Sequence, residues 1–119
     1  MKYKGSFQQT RLRKILEEIF DTQAEEEKKY AWLKSPKGRN LRVDIVFEKY
    51  KIAIEYHGKQ HYFYPNKFHK SKVEFVYLRL CDKIKKNKLK EMGYVFLEVP
   101  YSVRLTKPAV KYFLKTASI

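Results

Sequence analysis

Residues 41–62, LRVDIVFEKYKIAIEYHGKQHY, alternate at strand periodicity on both sides of a short polar break and read as a β-hairpin. Leu41, Val43, Ile45 and Phe47 point one way, and Arg42, Asp44 and Val46 the other. On the second strand Ile52, Ile54 and Tyr56 share one face, and Ala53, Glu55 and His57 the opposite one. The break is Glu48-Lys49-Tyr50-Lys51, and a two- or four-residue loop gives one register, in which paired residue numbers sum to about 99. That register sets Asp44 opposite Glu55 and Arg42 opposite His57. A loop of three or five residues would turn the two acids to different faces. Opposed side chains lie roughly 5 Å apart at Cβ, where like charges repel. Two carboxylates placed so in an apolar hairpin call for a cation between them. Mg²⁺, a hard ion held by one or two carboxylates with water and phosphate oxygens, suits the position.

The totals narrow the class. A chain of 119 residues with 44% apolar and 16% aromatic content supports one folded domain spanning 1–119. The single cysteine, Cys81, excludes an internal disulfide and suits a reducing compartment. No apolar run reaches the roughly 20 residues of a membrane span, and MKYKGSFQQT (1–10) lacks the apolar centre of a signal peptide. The expected location is the cytoplasm of a bacterial or phage-infected cell.

The net charge is +14, from 27 basic and 13 acidic residues. Six of the acids (Glu17, Glu18, Asp21, Glu25, Glu26, Glu27) fall within residues 17–27, which hold no Lys or Arg, so the rest of the chain is more basic still. Such a surface suits a polyanion, nucleic acid first. Asp44 and Glu55 are among the few acids left in that basic field.

Outward from the hairpin, FQQTRLRKILEEIF (7–20) carries Leu12, Ile15, Leu16 and Ile19 at helical spacing, with Ser6 as N-cap and Gln9 at the capping-box position. The acidic cluster reads as a solvated helix end or loop, KKYAWL (28–33) as a short strand, and KSPKGRN (34–40) as a basic loop. Beyond the hairpin, Tyr62, Phe63, Tyr64 and Phe68 interleave with lysines, a mix suited to stacking on bases or to satellite core. Residues 72–92 predict the longest helix, with Val73, Val76, Tyr77, Leu80 and Ile84 as its apolar stripe and Gly93 ending it. YVFLEV (94–99), closed by Pro100, predicts a central strand covered on both faces. Strand, crossover helix and strand then form a βαβ unit. A last helix starts at Thr106-Lys107-Pro108, with Val110, Phe113 and Leu114 facing inward.

With these elements in place the chain resembles the restriction-endonuclease-like, or PD-(D/E)xK, superfamily. The pattern there is an aspartate on one strand and a glutamate-x-lysine on the next; here it is Asp44, ten intervening residues, and Glu55-Tyr56-His57. AIEYHGKQHY (53–62), followed by CDKIKKNKLKEMGYVFLEVPY (81–101), is similar to the very-short-patch-repair-like branch, which includes phage homing endonucleases. The chain departs from the pattern in three ways. His57 replaces the usual lysine. Gln9 occupies the first-helix position where related branches carry glutamate, with Glu17 as the fallback. The zinc-binding cysteines of the repair endonucleases are missing.

The resemblance implies an α/β, restriction endonuclease-like fold: a small central mixed β-sheet with a β-hairpin, flanked by helices on both faces. It implies a metal-dependent DNA endonuclease. Asp44, Glu55 and the Tyr56 carbonyl would ligate Mg²⁺ or Mn²⁺. His57 would orient or deprotonate a water, Gln60 would position water or phosphate, and His61 would protonate the leaving oxygen or touch the phosphate. DNA contacts are expected from Lys37, Arg39, Arg42, Lys59, Lys67, Lys70, Lys85, Lys86 and Lys88. Asp82 shares a helix face with Lys85, and a surface ion pair is preferred there over a catalytic role. The substrate is expected to be double-stranded DNA, with RNA as a further option, and cutting both strands would suit a homodimer. The competing reading is a catalytically inactive nuclease-fold module that only binds nucleic acid.

Overall fold

The computed structural model describes residues 6–59, 62 and 71–117. Helix α1 (Phe7–Phe20) begins where the sequence caps it: the Gln9 amide donates to the Ser6 hydroxyl at 3.0 Å. It ends on Asp21, in the left-handed region at φ 51°. Four strands follow the sequence reading with some changes. They are β1 (Glu25–Lys34), β2 (Asn40–Phe47), β3 (Ile52–His57) and β4 (Val95–Pro100), in one mixed sheet ordered β1-β2-β3-β4. The β1/β2 and β2/β3 pairs are antiparallel, and β3/β4 is parallel.

The hairpin register is the expected one. Ile45 faces Ile54, Val46 faces Ala53 and Phe47 faces Ile52. The four-residue connection closes through Tyr50 N to Phe47 O and Lys51 N to Glu48 O, both 3.2 Å, with Lys51 at φ 54°. Arg42, however, is paired with Lys29 of β1 rather than with His57. Val43 also departs from simple alternation. It packs in the cluster of Val46 and Ala53, not with Ile45 and Phe47, although the pairing with β1 keeps one register from Val46 to Arg42.

The acidic run is not a solvated loop. Glu25, Glu26 and Glu27 open β1, because pairing with β2 extends the strand upstream of Lys28. The β4 strand is an edge rather than a centre. Its apolar run reflects helices on both sheet faces, and an edge tolerates Pro100, which has no N–H to give.

Helix α2 (Lys72–Glu91) crosses between β3 and β4, and α3 (Lys107–Thr116) closes the described chain. On one face, Leu12 and Leu16 of α1 and Val110 and Leu114 of α3 pack on Ile45, Phe47, Ile52, Ile54, Leu97 and Val99. On the other, Leu89 of α2 packs with Leu33, Val43, Val46, Ala53 and Tyr94. Each fully buried Leu, Ile or Phe contributes about 1.5–3 kcal/mol. The predicted stripe of α2 is only partly right. Cys81 and Leu89 are buried, whereas Val73, Val76 and Leu80 are exposed at 79%, 54% and 44%. The face turned to the sheet runs at i, i+4, i+8 through Cys81, Lys85 and Leu89. Gly93, at φ 90°, lets the chain leave α2 and enter β4.

Candidate functional site

Asp44 and Glu55 meet where the β2–β3 ladder ends. The Asp44 amide donates to Glu55 Oε2 at 2.7 Å, and the Tyr56 amide donates to Asp44 Oδ2 at 2.9 Å. Each carboxylate thus takes an amide of the opposite strand. The Tyr56 amide is therefore at the site; the ligand expected of this residue was its carbonyl. Glu55 is 2% exposed.

Lys85 of α2 completes the pair, with Nζ 2.7 Å from Glu55 Oε1. It is a correction to two expectations: it is neither an exposed phosphate contact nor half of a surface pair with Asp82. It occupies a sheet-facing position between Cys81 and Leu89, so its side chain must enter the interior. Burial pulls its pKa down, but the Glu55 and Asp44 carboxylates outweigh that and raise it above the ordinary lysine value. The ammonium stays charged beside Glu55. Its spacing was the available signal, masked by the lysine-rich run around it.

Glu27 is the third acid, unforeseen in the sequence. Glu26 pairs with Ile45 and Lys28 with Val43, which puts Glu27 across from Asp44. Its φ is 53°, a conformation that costs a non-glycine residue roughly 1–2 kcal/mol. Gln9 ties it down. The buried Gln9 amide donates to Glu27 Oε1 at 2.8 Å, Glu26 Oε2 at 3.1 Å and the Asp44 carbonyl at 3.3 Å. The first-helix position is thus at the site, with an amide in place of an acid. Glu17 is elsewhere: it holds Arg13 at 2.6 Å and the Ala24 amide at 2.9 Å, fixing the turn from α1 into β1.

Burial first, then the Glu55 charge, raises the Asp44 pKa well above the usual carboxylate range, against the pull of Lys85 and the Tyr56 amide. Glu27 is also raised, by burial first; Gln9 offsets part of that and Glu55 adds to it. Asp44 and Glu55 offer carboxylate oxygens of the kind Mg²⁺ or Mn²⁺ takes.

His57 follows Glu55 on the same face of β3 and is 3% exposed. Its Nδ1 lies 3.4 Å from Glu98 Oε2 of β4. Glu55, His57 and Asp82 of α2 each bring one ligand atom within 4.8 Å of the others. A cleft of about 590 Å³ opens here. Among the described residues, His57, Asp82 and Glu98 line it with Arg79, Lys83 and Lys86, beside Tyr62, Val76 and Leu80. Of the expected DNA contacts, Lys86 lines this cleft; Arg79 and Lys83, not singled out in the sequence, line it too.

The other expected DNA contacts scatter. Lys37 lies over the Tyr77 ring at 4.8 Å and Lys59 over Tyr101 at 5.7 Å. Arg39 is exposed in the 35–39 turn, and Lys88 is 3.6 Å from Glu91 on the surface. Arg42 is half-buried and close enough to Glu27 to lower its pKa. Gln60, His61, Lys67 and Lys70 lie outside the described residues.

No protein-family model matches the chain. It is 35% identical over 77 residues to uncharacterized protein 033L of Invertebrate iridescent virus 3, covering 64% of this chain and 40% of that protein. Over 65 residues it is 35% identical to uncharacterized protein 307L of Invertebrate iridescent virus 6, covering 55% and 33%. Over 68 residues it is 37% identical to uncharacterized protein 094L of Frog virus 3, covering 56% and 44%. The chain spans less than half the length of each of these relatives.

Proposed function

We propose that the chain is a metal-dependent endodeoxyribonuclease of the restriction-endonuclease-like type, hydrolysing phosphodiester bonds in double-stranded DNA. The observation that carries this reading is the meeting of Asp44 and Glu55, with Lys85 on Glu55, beside a cleft lined by Arg79, Lys83 and Lys86. Asp44, Glu55 and the Tyr56 backbone would hold Mg²⁺ or Mn²⁺, which lowers the pKa of a bound water and neutralises charge on the pentavalent transition state. Arg79, Lys83 and Lys86 would grip flanking phosphates. Lys85 would hold the Glu55 carboxylate in place through its 2.7 Å ion pair. His57, oriented by Glu98, would orient the attacking water. Gln9 and Glu27 would fix the strand carrying Asp44.

Incubation with supercoiled plasmid and Mg²⁺ or Mn²⁺, with and without chelator, tests the proposal. Nicking or linearisation that the chelator stops is expected. Retention of DNA without any cleavage would replace this reading with the inactive binding module. One observation favours that second reading: both carboxylates already take amides of the opposite strand and so serve as a strand clasp.

A further inference from the structure

We propose that Glu55, His57 and Asp82 form a second, mixed-ligand cation site that takes Mn²⁺ in preference to Mg²⁺. It deepens the nuclease reading by adding an ion position on the cleft side of Glu55, away from Asp44.

Three observations converge. One ligand atom from each of the three residues lies within 4.8 Å of the other two, a separation that a single ion can span by small side-chain rotations. Two of the three are rigidly placed: Glu55 and His57 are 2% and 3% exposed and stand two residues apart on β3. The histidine is also oriented. Its Nδ1 faces Glu98 Oε2 at 3.4 Å, which assigns the ligand role to Nε2. A carboxylate behind a ligating imidazole is the usual support of such a ligand, fixing its tautomer and raising its basicity.

The donor set decides the ion. Mg²⁺ favours oxygen ligands throughout, while an imidazole beside two carboxylates shifts preference toward Mn²⁺ and the later transition metals. Asp82 lines the cleft with Lys83 and Lys86, so an ion there would sit next to the groups that bind phosphate.

The test is a Mn²⁺ titration of the whole chain without nucleic acid, following the paramagnetic resonance signal of free Mn²⁺, with Mg²⁺ as competitor. His57→Gln and Asp82→Asn should each weaken the tightest Mn²⁺ binding at least about 10-fold, and Glu98→Ala about 10-fold through the loosened imidazole. Asp44→Asn should leave it within about threefold, and Mg²⁺ should displace Mn²⁺ only in large excess. Asp82 and Glu98 are partly exposed, so their variants keep the test decisive if His57→Gln unfolds. Unchanged binding in Asp82→Asn and Glu98→Ala would overturn the proposal, as would loss of the tight site in Asp44→Asn alone. Because no DNA is present, the ion site can stand if hydrolysis fails, and fail while hydrolysis stands.

Discussion

Asp44 carries opposite demands with and without an ion. In the metal-free protein its charge is opposed by burial and by Glu55, so its folded pKa lies above the ordinary value of 3.8. A raised carboxylate pKa stabilises the fold below the unfolded value and loses that stabilisation as pH rises through the folded one. Metal-free protein should therefore lose stability from this group as pH rises from 3.8 through the raised folded value, and Asp44→Asn should flatten that loss. Thermal melts across pH, in chelator, check it. The same variant should lower plasmid cleavage by about 100-fold or more, since losing a direct ligand exceeds the 10–100-fold typical of an outer-shell change. DNA retention should persist. A variant that melts like the wild type at every pH and still cuts would show that Asp44 is only a strand residue.

Among the elements, α2 links fold to site. Its sheet-facing positions are Cys81, Lys85 and Leu89, so one helix delivers both a core leucine and the ammonium that meets Glu55. Lys85→Met keeps the length and removes the charge. Divalent-ion affinity should rise several-fold, because the ion no longer competes with an internal cation for Glu55, while cleavage should fall. Calorimetric titration beside the plasmid assay separates the two effects; ion affinity that falls along with cleavage would place Lys85 in support of the site rather than in competition for it. The elements also show where the sequence was legible. The 41–57 hairpin could be placed because period-two alternation and a four-residue connection leave one register. Glu27 could not, because a run of three glutamates looks solvated until a partner strand is known. Sheet order was equally hidden: the apolar residues of β4 record the helices above and below it, and nothing in them distinguishes an edge from a centre.

On the scale of the whole molecule, the far end of the sheet holds a second, partly exposed charge network that is structural. Glu48 accepts from Lys28 Nζ at 2.5 Å, Tyr30 OH at 2.5 Å and Tyr94 OH at 2.7 Å, joining β1, the hairpin turn and the start of β4. Burial pushes the Glu48 pKa up, but these three partners prevail and hold it at about 2, below its ordinary 4.5. Its stabilisation is present above pH 4.5 and is lost as pH falls toward 2. Glu48→Gln should cost about 1–2 kcal/mol at pH 7, a charge-assisted bond reduced by partial exposure. The difference from wild type should shrink on acidification, which urea melts at pH 7 and pH 3 would record. Equal deficits at both pH values would assign the loss to packing of the tyrosines. Acid thus acts in opposite senses at the two ends of the sheet, relieving crowding at Asp44 and loosening the turn at Glu48.

The ammonium beside Glu55 has one more consequence. It is a built-in placeholder, so the chain can reach its final shape before any ion is at hand. A chelator should then silence such a protein without unravelling it, and returning the ion should revive it at once, with no refolding delay.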